Sequence, residues 1–179
     1  LCRAGGGAGW AVAGRIGMRP TNAAAETLCI MPVGADAAEA ACTVTRQSIT
    51  HCCVLDHAND AAILSAWLAN KTPENLAAWM AAPGAAAWGA YRGETMVGFA
   101  LRAQATLALC YVVPDALHRG VGRALLQNIE AHAREAGLAT LDLESTRTAE
   151  PFYRRHGYVP HGVAQTWAGL QAQPMRKVL

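Results

Sequence analysis

Gly120 and Gly122 stand between two arginines, Arg119 and Arg123, directly ahead of a run with helical apolar spacing, Leu125, Ile129 and Ala133. Glycines at the mouth of a helix let the backbone turn so that several N–H groups converge, and the helix adds partial positive charge at the same spot. With two guanidinium groups beside it, such a loop suits a phosphate or a pyrophosphate. A triphosphate-binding loop would need Gly-Lys-Ser/Thr, which this segment lacks. A dinucleotide fingerprint would need a third glycine where Leu125 stands, and Asp142, near the ~20-residue spacing of a ribose-binding acid, does not decide the matter. A tight strand-to-helix turn with no ligand is the plain alternative.

Other reactive side chains offer less. The six cysteines, Cys2, Cys29, Cys42, Cys52, Cys53 and Cys110, form no C-x-x-C pair and sit mostly in apolar runs. That pattern suits a reduced, cytoplasmic setting better than a disulfide framework. His51, Cys52, Cys53 and His57 do not make a zinc set, because adjacent cysteines are awkward ligands for one ion and no second pair follows; no metal is expected. Cys110, mid-strand among apolar residues and without a neighbouring base, is not a nucleophile in waiting.

Composition narrows the class. The chain has 179 residues, 53% of them hydrophobic and 16% charged, with a formal net charge of +2. This excludes a disordered chain and gives no nucleic-acid surface. No apolar stretch reaches the ~18 residues of a membrane span, and no partnership with a membrane is expected. Residues 1–20, rich in Gly and Ala near the start, are expected to be a disordered N-terminal extension rather than a signal peptide, with residues 21–179 forming a single domain.

Elements must hold the loop in place. Thr27–Val33 reads as a strand and Ala35–Ser48 as a helix; Ile49–Asn59 reads as a loop or broken helix. Asp60–Ala69 is a short helix, and Thr72-Pro73 opens another with a hydroxyl cap and a proline in the first turn. Ala86–Tyr91 and Thr95–Arg102 form a hairpin around Arg92-Gly93. Thr106–Val113 is apolar on both faces, as a central strand should be. The helix after Gly122 runs to Ala136, followed by a strand at Thr140–Glu144, a short helix at Ala149–Arg155, a strand at Tyr158–His161 and a last one at Met175–Leu179. The order implies a single mixed α/β sheet flanked by helices.

Over roughly Thr27 to His161 the chain resembles the GNAT (GCN5-related N-acetyltransferase) superfamily. One landmark is a strand ending in V-x-P and leading to Gln/Arg-x-x-Gly-x-Gly/Ala; here it reads Tyr111-Val112-Val113-Pro114, then Leu117-His118-Arg119-Gly120-Val121-Gly122-Arg123-Ala124. Leu117 replaces the usual Gln or Arg, which implies weaker phosphate contact at that point. The second landmark is Ala149-Glu150-Pro151-Phe152-Tyr153, followed by Gly157-Tyr158, with Thr146 beside Ser145 where an asparagine often stands.

The resemblance implies a mostly antiparallel α/β (α+β) sheet and acetyl-CoA as cosubstrate. Its pyrophosphate would lie on His118, Arg119, Gly120, Val121, Gly122, Arg123 and Ala124. Its pantetheine would lie along Tyr111, Val112, Val113, Ser145, Thr146, Ala149, Phe152, Tyr153 and Arg155. The central strand would splay from its neighbour, and the N–H of Val112 or Val113 would polarise the thioester carbonyl. A small-molecule amine would attack directly, with Tyr153 as the acid for the leaving thiolate, although aromatic packing is its plain alternative. Glu144 is the first candidate base, facing the same side as Asp142, and a solvated carboxylate is the competing reading. His51, Asp56 and His57 are acceptor contacts or surface residues; of the acceptor-pocket candidates Trp67, Trp79 and Trp88, helical spacing assigns the first two to the core. Aminoglycosides are the second acceptor class, and a non-catalytic acyl-CoA sensor is the alternative of another kind. The sequence leaves assembly open, a homodimer being common in the family.

Overall fold

The computed structural model describes residues 27–179, and the expected disordered extension over residues 1–20 lies outside the described residues. Strand β1 (Leu28–Val33) leads through a 3-10 turn at Ala35–Ala37 into helices α1 (Ala38–Cys52), α2 (Val54–His57), α3 (Ala61–Leu68) and α4 (Pro73–Ala81). Then come β2 (Ala85–Arg92), β3 (Thr95–Ala103), β4 (Thr106–Val112), α5 (Val121–Glu135), β5 (Thr140–Ser145) and α6 (Glu150–Arg155). Strands β6 (Val159–Pro160), β7 (Gln165–Trp167) and β8 (Leu170–Val178) complete the order. The caps follow the residue types: the Thr72 hydroxyl accepts from the Asn75 N–H at 3.2 Å, and the Asp60 carboxylate accepts from Ala62 and Ile63 N–H at 2.8 and 3.0 Å, as short polar side chains do at helix starts.

The sheet runs β1-β2-β3-β4-β5-β8-β6, with β7 paired to β8. Every pairing is antiparallel except β4 with β5, so the sheet is mixed and mostly antiparallel, as expected. Two differences stand out at the elements. The segment Ile49–Asn59, expected as a loop or a broken helix, is the broken helix: α1 runs past its expected end at Ser48 to Cys52, and α2 follows after a break at Cys53. The last strand begins at Leu170 rather than Met175 and pairs with an extra strand, β7, in a hairpin turned by Ala168 and Gly169, both left-handed at φ 47° and 85°.

Side-chain parity divides the core between two faces. Ala38, Ala41, Val44 and Leu76 of α1 and α4 cover Ala87, Met96, Phe99 and Leu101 on one face. On the other face, Val121, Leu125, Leu126, Ile129 and Ala133 of α5 cover Val97, Ala100, Leu107, Val112, Leu141, Leu143 and Met175. One residue sets how closely α5 can dock. A Cβ on Gly98 would lie 2.8 Å from Val121 Cγ1 and 2.9 Å from Leu125 Cδ1, so only glycine there lets the first turns of α5 press onto the sheet.

The feature that makes a site is a parting of strands. β4 and β5 pair only at Thr106↔Asp142 and Leu107↔Leu143. Beyond that, each is held by a different partner: β5 pairs along its full length with β8, while β4 stays on β3 through Gly98↔Val112. An irregularity at Leu101/Arg102 in the β3–β4 ladder adds local twist, as bulges do. The result is a wedge, open between the outer halves of two neighbouring strands.

Candidate active site

The chain reaches the wedge from β4 through Pro114–Ala116, a 3-10 turn, then His118 at φ 58° and Gly120 at φ 82°. Gly120 is needed for its left-handed backbone, since a Cβ there would meet nothing within 4 Å. Gly122 differs: its added Cβ would lie 3.5 Å from the Phe152 ring and 3.8 Å from Val112 Cγ2. The loop, the end of β4 and α6 are therefore stacked at one point. The first intrahelical bond of α5 runs from Ala124 N to Gly120 O, and no side chain caps the helix. Among the described residues, the N–H groups of Val121, Gly122 and Arg123 thus take no partner and point out of the helix end. His118, Arg119 and Arg123 are exposed around them, and among the described residues neither arginine joins an ion pair. Leu117, the departure from the family pattern, packs against the apolar core under α5. It anchors the loop instead of contacting an anion.

The edge of β4 is polarised by its ladder. Val113 N–H donates to Val97 O at 3.0 Å, so this group, expected as one of two carbonyl donors, is committed to β3. Alternation along an antiparallel strand then turns the N–H and C=O of Val112 toward the wedge. Cys52 Sγ lies 3.8 Å from Val112 O, from the α1 side. Tyr111 turns its ring the opposite way from Val112, into the clusters beneath α1 and α3, and burial raises its phenol pKa. What it offers the wedge is backbone.

Across the wedge, Ser145 donates its hydroxyl to Thr146 O at 2.9 Å, and the Thr146 hydroxyl accepts from Ala149 N–H at 3.3 Å. Both hydroxyls, expected beside a pantetheine amide, already work inside the turn that leads to α6. Ala149 and Phe152 pack against the α5-side core. Arg155 is exposed, its Nε donating to Pro151 O at 3.1 Å. Tyr153 is buried and lies edge-on to Phe152 and Tyr158, with ring centroids 5.2 and 5.6 Å apart. Its hydroxyl sits by the Cys110 thiol. Burial, and then the neighbouring Cys110, Tyr111 and Tyr158, raise the phenol well above its ordinary value; burial likewise pushes Cys110 up to about 12. Both groups are neutral hydrogen carriers at ordinary pH.

Glu144 is exposed on β5, one residue past the last β4–β5 pair. It faces away from α5, like Asp142, and the two line a shallow cavity of about 200 Å³ with Thr106, His161 and Pro174. Asp142 is spoken for: Arg176 grips both its oxygens at 2.5 and 2.7 Å, and that hydrogen bonding holds the carboxyl below its usual range. Glu144 takes no partner among the described side chains. Tyr153 and Glu144 therefore flank the wedge from opposite faces of the sheet.

Of the early-segment candidates, only His51 is exposed. His57 is buried, with Nδ1 accepting from Asn59 N–H at 3.1 Å. Asp56 is buried too, its oxygens accepting from the Arg147 and Thr148 N–H groups at 2.7 and 3.3 Å. Neither is a free surface contact. Trp67 fills a cluster with Ile49, Cys53 and Leu170, and Trp79 of α4, half-buried, packs against the core cluster beneath α1 and α4, as core. Trp88 lies edge-on to His132 at 5.0 Å. Sequence reasoning missed Cys52 beside Val112, the Asp56 link and the β7–β8 hairpin, whose Leu170 plugs the cluster at Trp67. The described residues contain no group of His, Cys, Asp and Glu arranged to hold a metal ion and no helix long and apolar enough to cross a membrane.

Comparison with known proteins agrees with this geometry. Residues 45–179 match the family model described as an acetyltransferase (GNAT) domain. An amino-acid acetyltransferase of Azotobacter vinelandii is 49% identical over 57 residues, 32% of this chain and 13% of that protein. One of Pseudomonas putida is 46% identical over the same length and the same shares. The matched segment is thus a small part of those relatives. Among solved structures, a GCN5-related N-acetyltransferase from Rhodopseudomonas palustris superposes with a TM-score of 0.76 at 24% identity, covering 87% of this chain and 98% of that one. The PaiA N-acetyltransferase of Thermoplasma acidophilum, in complex with coenzyme A, gives 0.72 at 18% identity, over 86% and 99% of the two chains. The family match spans well over half of the sequence and falls on the wedge and the glycine loop, so the chain belongs to the GNAT acetyltransferase family.

Proposed function

We propose that this domain transfers the acetyl group of acetyl-CoA to the amine of a small molecule by direct attack. The observation that carries the reading is the parting of β4 and β5 after Leu107 and Leu143, with an unused helix N-terminus at one end and Tyr153 buried at its side. The residues fit the cosubstrate. Val121, Gly122 and Arg123 offer three N–H groups, and Arg119 and Arg123 add charge for a pyrophosphate. The free strand edges offer a pantetheine arm backbone partners. Val112 N–H faces the wedge and polarises the thioester carbonyl.

Tyr153 serves as hydrogen-bond donor and acid to the departing sulfur. Its raised pKa makes it a reluctant acid, so stabilising the thiolate through a neutral O–H counts for more than early proton transfer. Glu144, on the opposite face and unpaired, receives the proton of an incoming ammonium directly or through water. The similarity to proteins named amino-acid acetyltransferases supports putting α-amino acids beside polyamines and aminoglycosides as acceptors. The single free carboxylate of the cavity, exposed Glu144, favours a cationic amine in general rather than one of these classes. A homodimer fits the reading without being required by it.

The test is an acetyl-CoA assay against that amine panel, read by product mass because the free thiols of Cys29 and Cys52 would disturb a thiol dye. Acetylation of one class above the rest is the expected result. Coenzyme A binding with no acetylation of any amine would overturn the catalytic reading in favour of an acyl-CoA sensor.

A further inference from the structure

The wedge has no strand pairing to keep its walls at a set separation, since β4 and β5 part after Leu107 and Leu143. A side chain does that work. Asp56 lies in α2, whose neighbour Cys52 at the end of α1 touches Val112 O, on the acceptor side of the wedge. Its two carboxylate oxygens reach across 91 and 92 residues of sequence to the N–H groups of Arg147 and Thr148. Those are the two middle residues of the turn from Ser145 to α6, which carries Tyr153. Asp56 is 9% exposed, and charge-assisted bonds of this kind are stronger than neutral ones. The ends of the tether are themselves held. Ala58 and Asn59, at φ 50° and 58°, turn the chain sharply after α2, and the buried ring of His57 accepts from Asn59 N–H to keep that turn. On the far side, Thr146 closes its own turn onto Ala149 and Glu150 N–H.

We propose that Asp56 is a positioning residue that ties the acceptor wall, α1–α2, to the cofactor wall, the turn before α6, so that the two sides of the wedge and Tyr153 keep one spacing. The inference rests on the acetyl-transfer reading for its consequence, though not for its geometry. Asp56 touches neither substrate in this account and acts only through the Arg147 and Thr148 peptides. Its removal would free that turn, loosen the pantetheine side of the wedge and let Tyr153 drift from the sulfur.

Hydrogen exchange of the full chain, coenzyme A binding by calorimetry and steady-state kinetics test this together. In the wild type, the Arg147 and Thr148 amides should be protected. In Asp56→Ala both should exchange about tenfold faster or more, while Val113 N–H, held by Val97, keeps its rate. The dissociation constant for coenzyme A and the KM for acetyl-CoA should each rise about tenfold, matching the loss of one or two charged hydrogen bonds. A merely structural loss would remove folded enzyme, lowering kcat at unchanged KM. Asp56→Asn keeps one acceptor oxygen for Arg147 but sets an NH₂ against the Thr148 N–H, so it should fall between wild type and Ala, and it stands in if the alanine variant does not fold. Wild-type amides that exchange as freely as unprotected ones, or a KM unmoved in a folded variant, would sink the proposal. Failure of the wild type to bind coenzyme A would instead undo the acetyl-transfer reading, and the exchange data would then report on the tether alone.

Discussion

The two walls of the wedge are built in different ways. On the acetyl-transfer reading, the cofactor wall is made of backbone: three N–H groups at the start of α5, a left-handed glycine, a strand edge and the turn before α6, with α5 set close to the sheet by one missing Cβ at Gly98. The acceptor wall is made of side chains: Cys52 against a carbonyl, a buried His57, Asp56 reaching across, Leu170 arriving from a distant hairpin. Backbone sites depend on conformations that few residue types allow, so substitutions should fall into tolerated and forbidden classes. Side-chain walls grade more smoothly and are free to change with the acceptor.

Four experiments sharpen that contrast. Tyr153→Phe should have the largest effect, lowering kcat by about 100-fold, the range for a lost general acid, with coenzyme A affinity nearly unchanged. Unchanged turnover at saturating amine would leave the residue as packing. Gly98→Ala comes next: its Cβ would meet Val121 and Leu125 at under 3.0 Å, and overpacking of this kind costs about 1–3 kcal/mol, visible in a denaturant midpoint and in weaker coenzyme A binding as α5 is lifted. Gly120→Ala should cost about 1 kcal/mol through its left-handed backbone alone, whereas Gly122→Ala, with contacts of 3.5 Å or more, should be close to neutral. Equal effects at the two glycines would break the distinction between conformation and space.

The smallest effect is in the pH response. Burial raises the phenols of Tyr111, Tyr153 and Tyr158, so above the ordinary phenol value of ~10 the unfolded chain releases protons that the native one keeps. Their contribution to stability is fully present below about pH 10 and is lost as pH climbs toward the raised native values. Thermal unfolding across this range should show a flat response to about pH 10 and a fall beyond it, with no loss of kcat from Tyr153 ionisation below that point.

The same contrast explains what could be read ahead of the structure. The glycine loop and the long helix behind it were legible because glycine spacing and apolar period report directly on backbone, whereas Tyr153 was singled out by the family resemblance alone. The Thr72-Pro73 and Asp60 helix starts were legible for a like reason. The first part of the last strand, ahead of the expected Met175, was hidden by Pro174, which argues against a central strand, yet Pro174 sits opposite Glu144 in the ladder. Its partner β7 was hidden by an Ala168-Gly169 turn that lacks the usual Asn-Gly signal. Within Ile49–Asn59, read as a loop or broken helix, the burial of Asp56 was not legible because its carboxylate is satisfied by residues some 90 positions away. Polarity alone does not tell a solvated carboxylate from one that is buried and bonded.

β5 has little company until β8 arrives. Strands β1 to β4 join their neighbours in sequence through short turns, apart from the helices after β1, and can zip up while the rest of the chain is still being made. β5 must wait for Leu170–Val178, roughly thirty residues downstream, before it gains the partner that pulls it away from β4. The wedge is thus a late product of synthesis. A ribosome-bound intermediate lacking β8 would own the glycine loop and its helix but no wedge, so on the proposed reading acetyl transfer begins only once β8 is in place.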